Sequence, residues 1–177
     1  MTDGARREGF EAAYRELYAP ICGYALRRVH EPEDAAEVIA ETFATLWRRF
    51  DRCPQGDELR PWLFGVARRV IANQRRGERR RSALGERLAA HALPTATTHA
   101  GEASSELARA FAALNESDQE LLSLVAWEGL NREELAVALG TSRAVVRLRL
   151  HRARKRLREA LPPTQVRLTG GQEHEWT

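Results

Sequence analysis

The chain has 177 residues, 43% hydrophobic and 30% charged, with 28 basic and 25 acidic side chains for a net charge of +3. This composition fits a folded globular protein of one or two small domains and excludes a disordered one, while the near-neutral balance says little about partners. No apolar run reaches membrane-spanning length, the N-terminus is not signal-like, and Cys22 and Cys53 lack zinc or redox spacing, so reduced thiols and a cytoplasmic location are expected.

Phe10, Tyr14, Leu17 and Ile21 share one face of a first helix, which Pro20 is expected to kink or divide. Leu26 and Val29 carry the pattern to His30. Glu31-Pro32-Glu33-Asp34 then opens a second helix, with proline and acids suited to a first turn. It runs to about Phe50 and is expected to bury Ile39, Phe43, Leu46 or Trp47, and Phe50. From Glu31 to Leu46 there are five acids and no base. Such acids could be metal ligands, but carboxylates strung along one helix are more often a solvated or partner-binding face. An acidic flank complements a basic protein surface.

Residues 51–60 contain Pro54 and Gly56 and read as a loop; Pro61 suits the first turn of a third helix with Trp62, Leu63, Val66, Val70 and Ile71. That helix ends in the run NQRRGERRR, and seven basic residues fall between Arg68 and Arg81. Two readings stand side by side. Trp62 and Phe64 are core and the arginines solvated, or the segment handles a nucleic-acid strand, with arginines along phosphates and an aromatic near unstacked bases.

The apolar pattern decays from about Gly85 to Glu102, where a flexible linker is expected. A second helical block starts near Ser104 with Leu107, Phe111 and Leu114 on one face. Ser117 with Glu120 reads as a capping box opening the next helix, which Gly129 ends. LNREELAVALGTSRAVVRLRLHRARKRL (130–157) follows. Asn131 and Glu134 form a capping box, Leu135, Ala138 and Leu139 point inward, Gly140 ends the helix, and Ser142 caps another. That last helix has apolar positions Val145, Val146, Leu150 and Leu157, and eight basic residues between Arg143 and Arg158 with no acid among them. Solvated helices usually interleave both signs, so this is a helix-turn-helix whose second helix suits the major groove. The expected fold is all-α: two small helical domains, 8–82 and 104–161, joined by a flexible linker at 83–103, with a polar tail at 162–177. No catalytic constellation, phosphate loop, cofactor motif or metal cluster stands out, so a DNA-binding role is expected, and an enzyme is not.

In this order the segments resemble the extracytoplasmic-function sigma factors of bacterial RNA polymerase, within the sigma-70 family. DAAEVIAETFATLWR (34–48) is similar to the family's polymerase-binding helix, RPWLFGVARRVIANQRRGERRR (60–81) to the helix that reads and opens the −10 element, and 130–157 to the −35-binding helix-turn-helix. The resemblance implies a non-catalytic initiation subunit. Asp34, Glu37, Glu41, Thr42 and Trp47 would dock on the β′ clamp. Asp57, Arg60, Trp62, Arg69, Asn73, Arg75 and Arg76 would handle the −10 strand, whose flipped base the 51–60 loop captures. Ser142, Arg143, Arg147, His151, Arg152 and Lys155 would contact the −35 duplex. The implied partners are core RNA polymerase through its β′ and β subunits, promoter DNA and an anti-sigma factor; no membrane insertion, cofactor or metal is implied. Departures from the family pattern are Ala36 and Ala40 for an acid and a glutamine, Arg69 for an asparagine, and Leu148, which offers no polar readout.

Overall fold

The structure, a computed structural model, describes residues 3–29, 31–86 and 102–161. They form helices α1 (Asp3–Leu26), α2 (Pro32–Arg49), α3 (Leu59–Glu86), α4 (Glu102–Ala112), α5 (Glu116–Ala126), α6 (Arg132–Leu139) and α7 (Arg143–Ala160), with a 3-10 turn at Gly56–Glu58. No strand occurs among the described residues, so the expected all-α class holds. Most of the expected linker, and all of the tail at 162–177, lie outside them.

Two compact units are formed. Among the described residues, α1, α2, α3 and α6 make the first, and α4, α5 and α7 make the second. α6 groups by contact with the first unit although it follows the second helical block in sequence.

In the first unit, α2 lies against both α1 and α3. α1 buries Ala13, Leu17, Ile21, Tyr24 and Ala25 at steps of three and four. It starts seven residues before Phe10 and runs unbroken through Pro20. The proline leaves the Glu16 carbonyl without its helical donor, but Leu17 and Ile21, buried on either side, hold the helix on course. Tyr14 lies 4.6 Å from Phe43 between ring centroids, and Phe10 lies 5.1 Å from Trp47, so an aromatic seam joins α1 to α2.

α2 begins as its sequence suggests. Pro32 occupies the first turn with Glu33 and Asp34, and Arg48 and Arg49 stand at the negative end of the helix dipole. Its buried stripe is Ala35, Val38, Thr42, Phe43 and Leu46, whereas Ile39 is only half-buried. Ala35 and Thr42 carry little hydrophobic signal, so the expected stripe was rotated toward the bulkier Ile39. In α3, Leu63, Phe64 and Ala67 are almost fully buried, and the Phe64 ring meets Tyr24 of α1 at 5.3 Å. Truncating Leu46 or Leu63 to alanine would cost about 2–5 kcal/mol.

In the second unit, α7 packs on α5 and α4 through Val146, Leu150 and Ala153. Val145 is 37% exposed, so the buried stripe is one position over from part of the expected one. α5 is capped by Asn115, not Ser117: the Asn115 side chain accepts the Asp118 amide at 2.9 Å, and the helix starts at Glu116. Asparagine is as good a cap as serine, and its earlier position wins the first turn.

Candidate nucleic-acid interface and acidic docking face

Among the described side chains, α7 presents the densest cationic surface. Val146, Leu150 and Ala153 anchor one side to the core, which turns the remaining positions outward. Ser142, Arg143, Arg147, His151, Arg152 and Lys155 are all exposed, and Arg147, His151 and Lys155 follow one another at four-residue steps. Ser142 Oγ accepts the Val145 amide at 3.3 Å, so its hydroxyl starts the helix. Lys155 Nζ lies 3.7 Å from Glu159, an exposed pair that solvent weakens to well under 1 kcal/mol. The turn before α7 is tightly made. Gly140 sits in the left-handed region at φ 62°, and the Thr141 amide donates to the Ala136 carbonyl at 3.0 Å. The Asn131–Glu134 capping box forms as the spacing suggests.

One arginine of α7 does different work. Arg156 Nη1 reaches the Asp118 carboxylate of α5 at 2.5 Å, and Asn115 Nδ2 donates to the same oxygen at 2.8 Å. Asp118 is only 7% exposed. This clamp fixes the roll of α7 on α5, and so fixes which arginines face outward. No sequence signal singled it out, because Asp118 reads as an ordinary first-turn acid.

The −10 candidates occupy the loop and α3 of the first unit. Asp57 is exposed in the 3-10 turn and Trp62 is half-buried. Arg60 pairs with Glu134 of α6 at 3.3 Å and lies 5.3 Å over the Phe64 ring. Arg69 donates back to the Gly65 carbonyl at 3.0 Å, and Asn73 accepts from Arg76 at 2.7 Å. Arg75 donates to the Arg28 carbonyl at 2.8 Å, tying α3 to the end of α1. Arg69, Asn73, Arg75 and Arg76 thus share one exposed run of α3, while Asp57 and Arg60 stand apart at its start.

Of the docking candidates on α2, Glu37 and Glu41 are exposed and Asp34 is half-buried. Glu41 accepts from Arg48 and, at 3.3 Å, from Thr45. Trp47 is 37% exposed, with the Arg6 guanidinium 4.6 Å over its ring. Thr42 requires a correction. It is fully buried and its hydroxyl donates to the Val38 carbonyl at 2.6 Å, so its side chain presents nothing to a partner. A threonine can hide in a helix by satisfying its hydroxyl within the preceding turn. A surface groove of about 630 Å³ runs between α2 and α3, with Glu37, Ala40 and Ala44 on one wall and Val66, Arg69 and Asn73 on the other. It brings docking and −10 candidates onto one surface.

Burial raises the Cys53 thiol above its ordinary value, only partly offset by the Gln55 amide at 3.2 Å. Among the described residues no group of His, Cys, Asp or Glu could hold a metal ion, and no helix is long and apolar enough to cross a membrane.

Comparison with known proteins places the chain in a family. Residues 13–81 match sigma-70 region 2 and residues 104–157 match sigma-70 region 4. The chain is 30% identical to the ECF RNA polymerase sigma factor SigL of Mycobacterium tuberculosis, over 85% of this chain and 87% of that protein. It is 32% identical to the RNA polymerase sigma factor NccH of Alcaligenes xylosoxydans xylosoxydans, over 92% of this chain and 95% of that one. Its fold is similar to that of the sigma factor RpoE, solved with the anti-sigma factor NepR from Bartonella quintana. The TM-score is 0.62 at 21% identity, covering 85% of this chain and 95% of that chain. The chain belongs to the extracytoplasmic-function sigma factors, in the sigma-70 family of RNA polymerase subunits.

Proposed function

We propose that this chain recruits core RNA polymerase through the acidic face of α2 and delivers it to a two-part promoter in the cytoplasm. Promoter recognition and transcription initiation come with family membership; the assignment to particular surfaces is our reading. Asp34, Glu37, Glu41 and Trp47 dock on a basic surface of the β′ clamp, and Thr42 supports the helix from within. Arg143, Arg147, His151, Arg152 and Lys155 contact the −35 duplex, while Ser142 sets the start of α7. Arg69, Asn73 and Arg76 follow the −10 strand, with Asp57, Arg60 and Trp62 near the extruded base. Capturing an extruded base offsets an unstacking cost of a few kcal/mol, so opening needs no nucleotide hydrolysis and the chain itself need not be catalytic. The β subunit is expected as a second polymerase contact and an anti-sigma protein as the natural inhibitor, as in the RpoE complex with NepR.

The observation that carries this reading is the segregation of charge. Five acids and no base stand from Glu31 to Leu46, and eight bases with no acid from Arg143 to Arg158. One surface suits a basic protein and the other a polyanion. Run-off transcription with core polymerase and a promoter library, with start sites mapped, tests it. Factor-dependent starts downstream of two shared elements are expected. Tight operator binding without polymerase, and no initiation, would replace the proposal with an autonomous DNA-binding regulator.

A further inference from the structure

Arg6, Gly9 and Phe10 share one face of α1, at spacings of three and four residues. They meet Trp47, Phe50 and Asp51 at the end of α2, which repeat that spacing. The Phe10 ring stands edge-on to Trp47 at 5.1 Å. Gly9 leaves room for Phe50, since a Cβ there would lie 3.0 Å from that ring. Arg6 makes three contacts with one guanidinium. Nη2 donates to the Trp47 carbonyl at 2.6 Å, Nη1 lies 3.6 Å from the Asp51 carboxylate, and the group sits 4.6 Å over the Trp47 ring. That carbonyl lies in the last turn of α2, where its backbone donor is the Phe50 amide at a long 3.4 Å.

We infer that Arg6 is a positioning residue for polymerase docking: it holds the Trp47 ring in the orientation that the partner meets. The inference rests on the proposed role of Trp47 in docking. A guanidinium that grips the carbonyl and the ring of the same residue fixes that residue at both ends. Charge argues against a direct role for Arg6. The docking face is acidic and its proposed partner basic, so a free cation beside Trp47 would oppose association. Asp51 answers that cation with a carboxylate and neutralises it locally. Stability alone does not account for the arrangement. Asp51 is 51% exposed, so the ion pair contributes little. Arg6 Nε is buried with no acceptor among the described residues, which offsets part of the gain. What the guanidinium supplies is order in an aromatic side chain that remains 37% exposed.

Binding of the full chain to core polymerase tests this, measured for Arg6→Gln, Arg6→Lys, Trp47→Ala and the double variant Arg6→Gln with Trp47→Ala. Arg6→Gln should weaken binding roughly two- to tenfold, the cost of immobilising one freed side chain on association. Helix content and urea midpoint should stay nearly unchanged. Removing a cation that only faced a basic partner would instead tighten binding, most at low ionic strength. The sign alone therefore separates the two roles. In the double variant the loss should match that of Trp47→Ala within about twofold, because Arg6 acts through the ring. Arg6→Lys reaches the carbonyl or the carboxylate but cannot fork to both, so it should fall between wild type and Arg6→Gln. Tighter or unchanged binding by Arg6→Gln would overturn the inference, as would additive losses in the double variant. If Arg6→Gln loses helix content, Arg6→Lys decides, and wild-type affinity there would overturn the forked hold. Should Trp47→Ala bind core polymerase as the wild type does, the docking assignment of Trp47 fails and takes the inference with it. A loss in Trp47→Ala with none in Arg6→Gln fails the role of Arg6 alone.

Discussion

Replacing Asp118 by asparagine removes one negative charge from a residue that is only 7% exposed and holds Arg156 and Asn115 together. A charge-assisted hydrogen bond contributes about 1.5–3 kcal/mol. Arg156 is 51% exposed, so solvent screening places the loss near the lower end, about 1–2 kcal/mol. For a unit of this size that corresponds to a fall in Tm of roughly 4–16 °C. A double-mutant cycle with Arg156→Gln isolates the pair, and its coupling should be about 1 kcal/mol. Urea titration of the full chain supplies the stabilities, with exchange of α7 amides reporting the second unit separately from the first. Promoter affinity should fall further than the lost stability explains, because the clamp sets the roll of α7. A coupling below about 0.3 kcal/mol, within the additivity error of independent sites, would refute the clamp and leave Val146, Leu150 and Ala153 as sole determinants of that orientation.

Arg147→Ala should weaken −35 binding by about 1–3 kcal/mol and relax preference at one base pair if it reads a base edge; an equal loss on all sequences reassigns it to phosphate. Reversing Glu37 and Glu41 to lysine should weaken core polymerase binding, most at low ionic strength, without lowering helix content by circular dichroism. Unchanged core affinity would remove the docking assignment. The raised thiol of Cys53 gives a pH dependence of known sign. Its protonated form is favoured in the fold, so the contribution is complete below the unfolded thiol value of about 8.5 and lost as pH rises through the higher folded value. Urea midpoints should fall between pH 7 and pH 10, and the fall should shrink in Cys53→Ala.

Local structure was legible wherever a cap or special backbone conformation announces itself. Pro32 with its acids, the Asn131–Glu134 box, Gly140 and Ser142 all do in the fold what their types suggest. The α5 cap was misplaced because Asn115 and Ser117 both suit the position, and only the helix start distinguishes them. Burial on α2 was less legible because Ala35 and Thr42 carry weak hydrophobicity although both are buried. Tertiary roles were hidden wherever one residue type serves two ends. Glu134 was visible as a capping residue but not as the partner of Arg60, seventy-four positions away. Gly65 looks like a mild defect in a helix until the Ala138 carbonyl is placed against it.

Arginine is where sequence and structure diverge most usefully. A run of cations on a helix states an affinity for polyanions, but each guanidinium also has five donors and a long reach, so the fold can take some for itself. Arg75 is tied to the end of α1, Arg156 to Asp118 and Arg60 to Glu134. These three differ in how firmly they are held. Arg75 meets an exposed backbone carbonyl, which a phosphate outcompetes on charge. Arg156 meets a buried carboxylate, which would keep only the Asn115 amide if the arginine left, at a cost of about 1–2 kcal/mol. Arg60 meets a half-exposed carboxylate that keeps its own helix cap when the pair breaks. A ranking follows from burial of the acceptor alone: Arg156 is held most firmly, Arg75 most loosely, and Arg60 sits between. Counting cations treats the three as equal, whereas their acceptors decide which of them a promoter can claim.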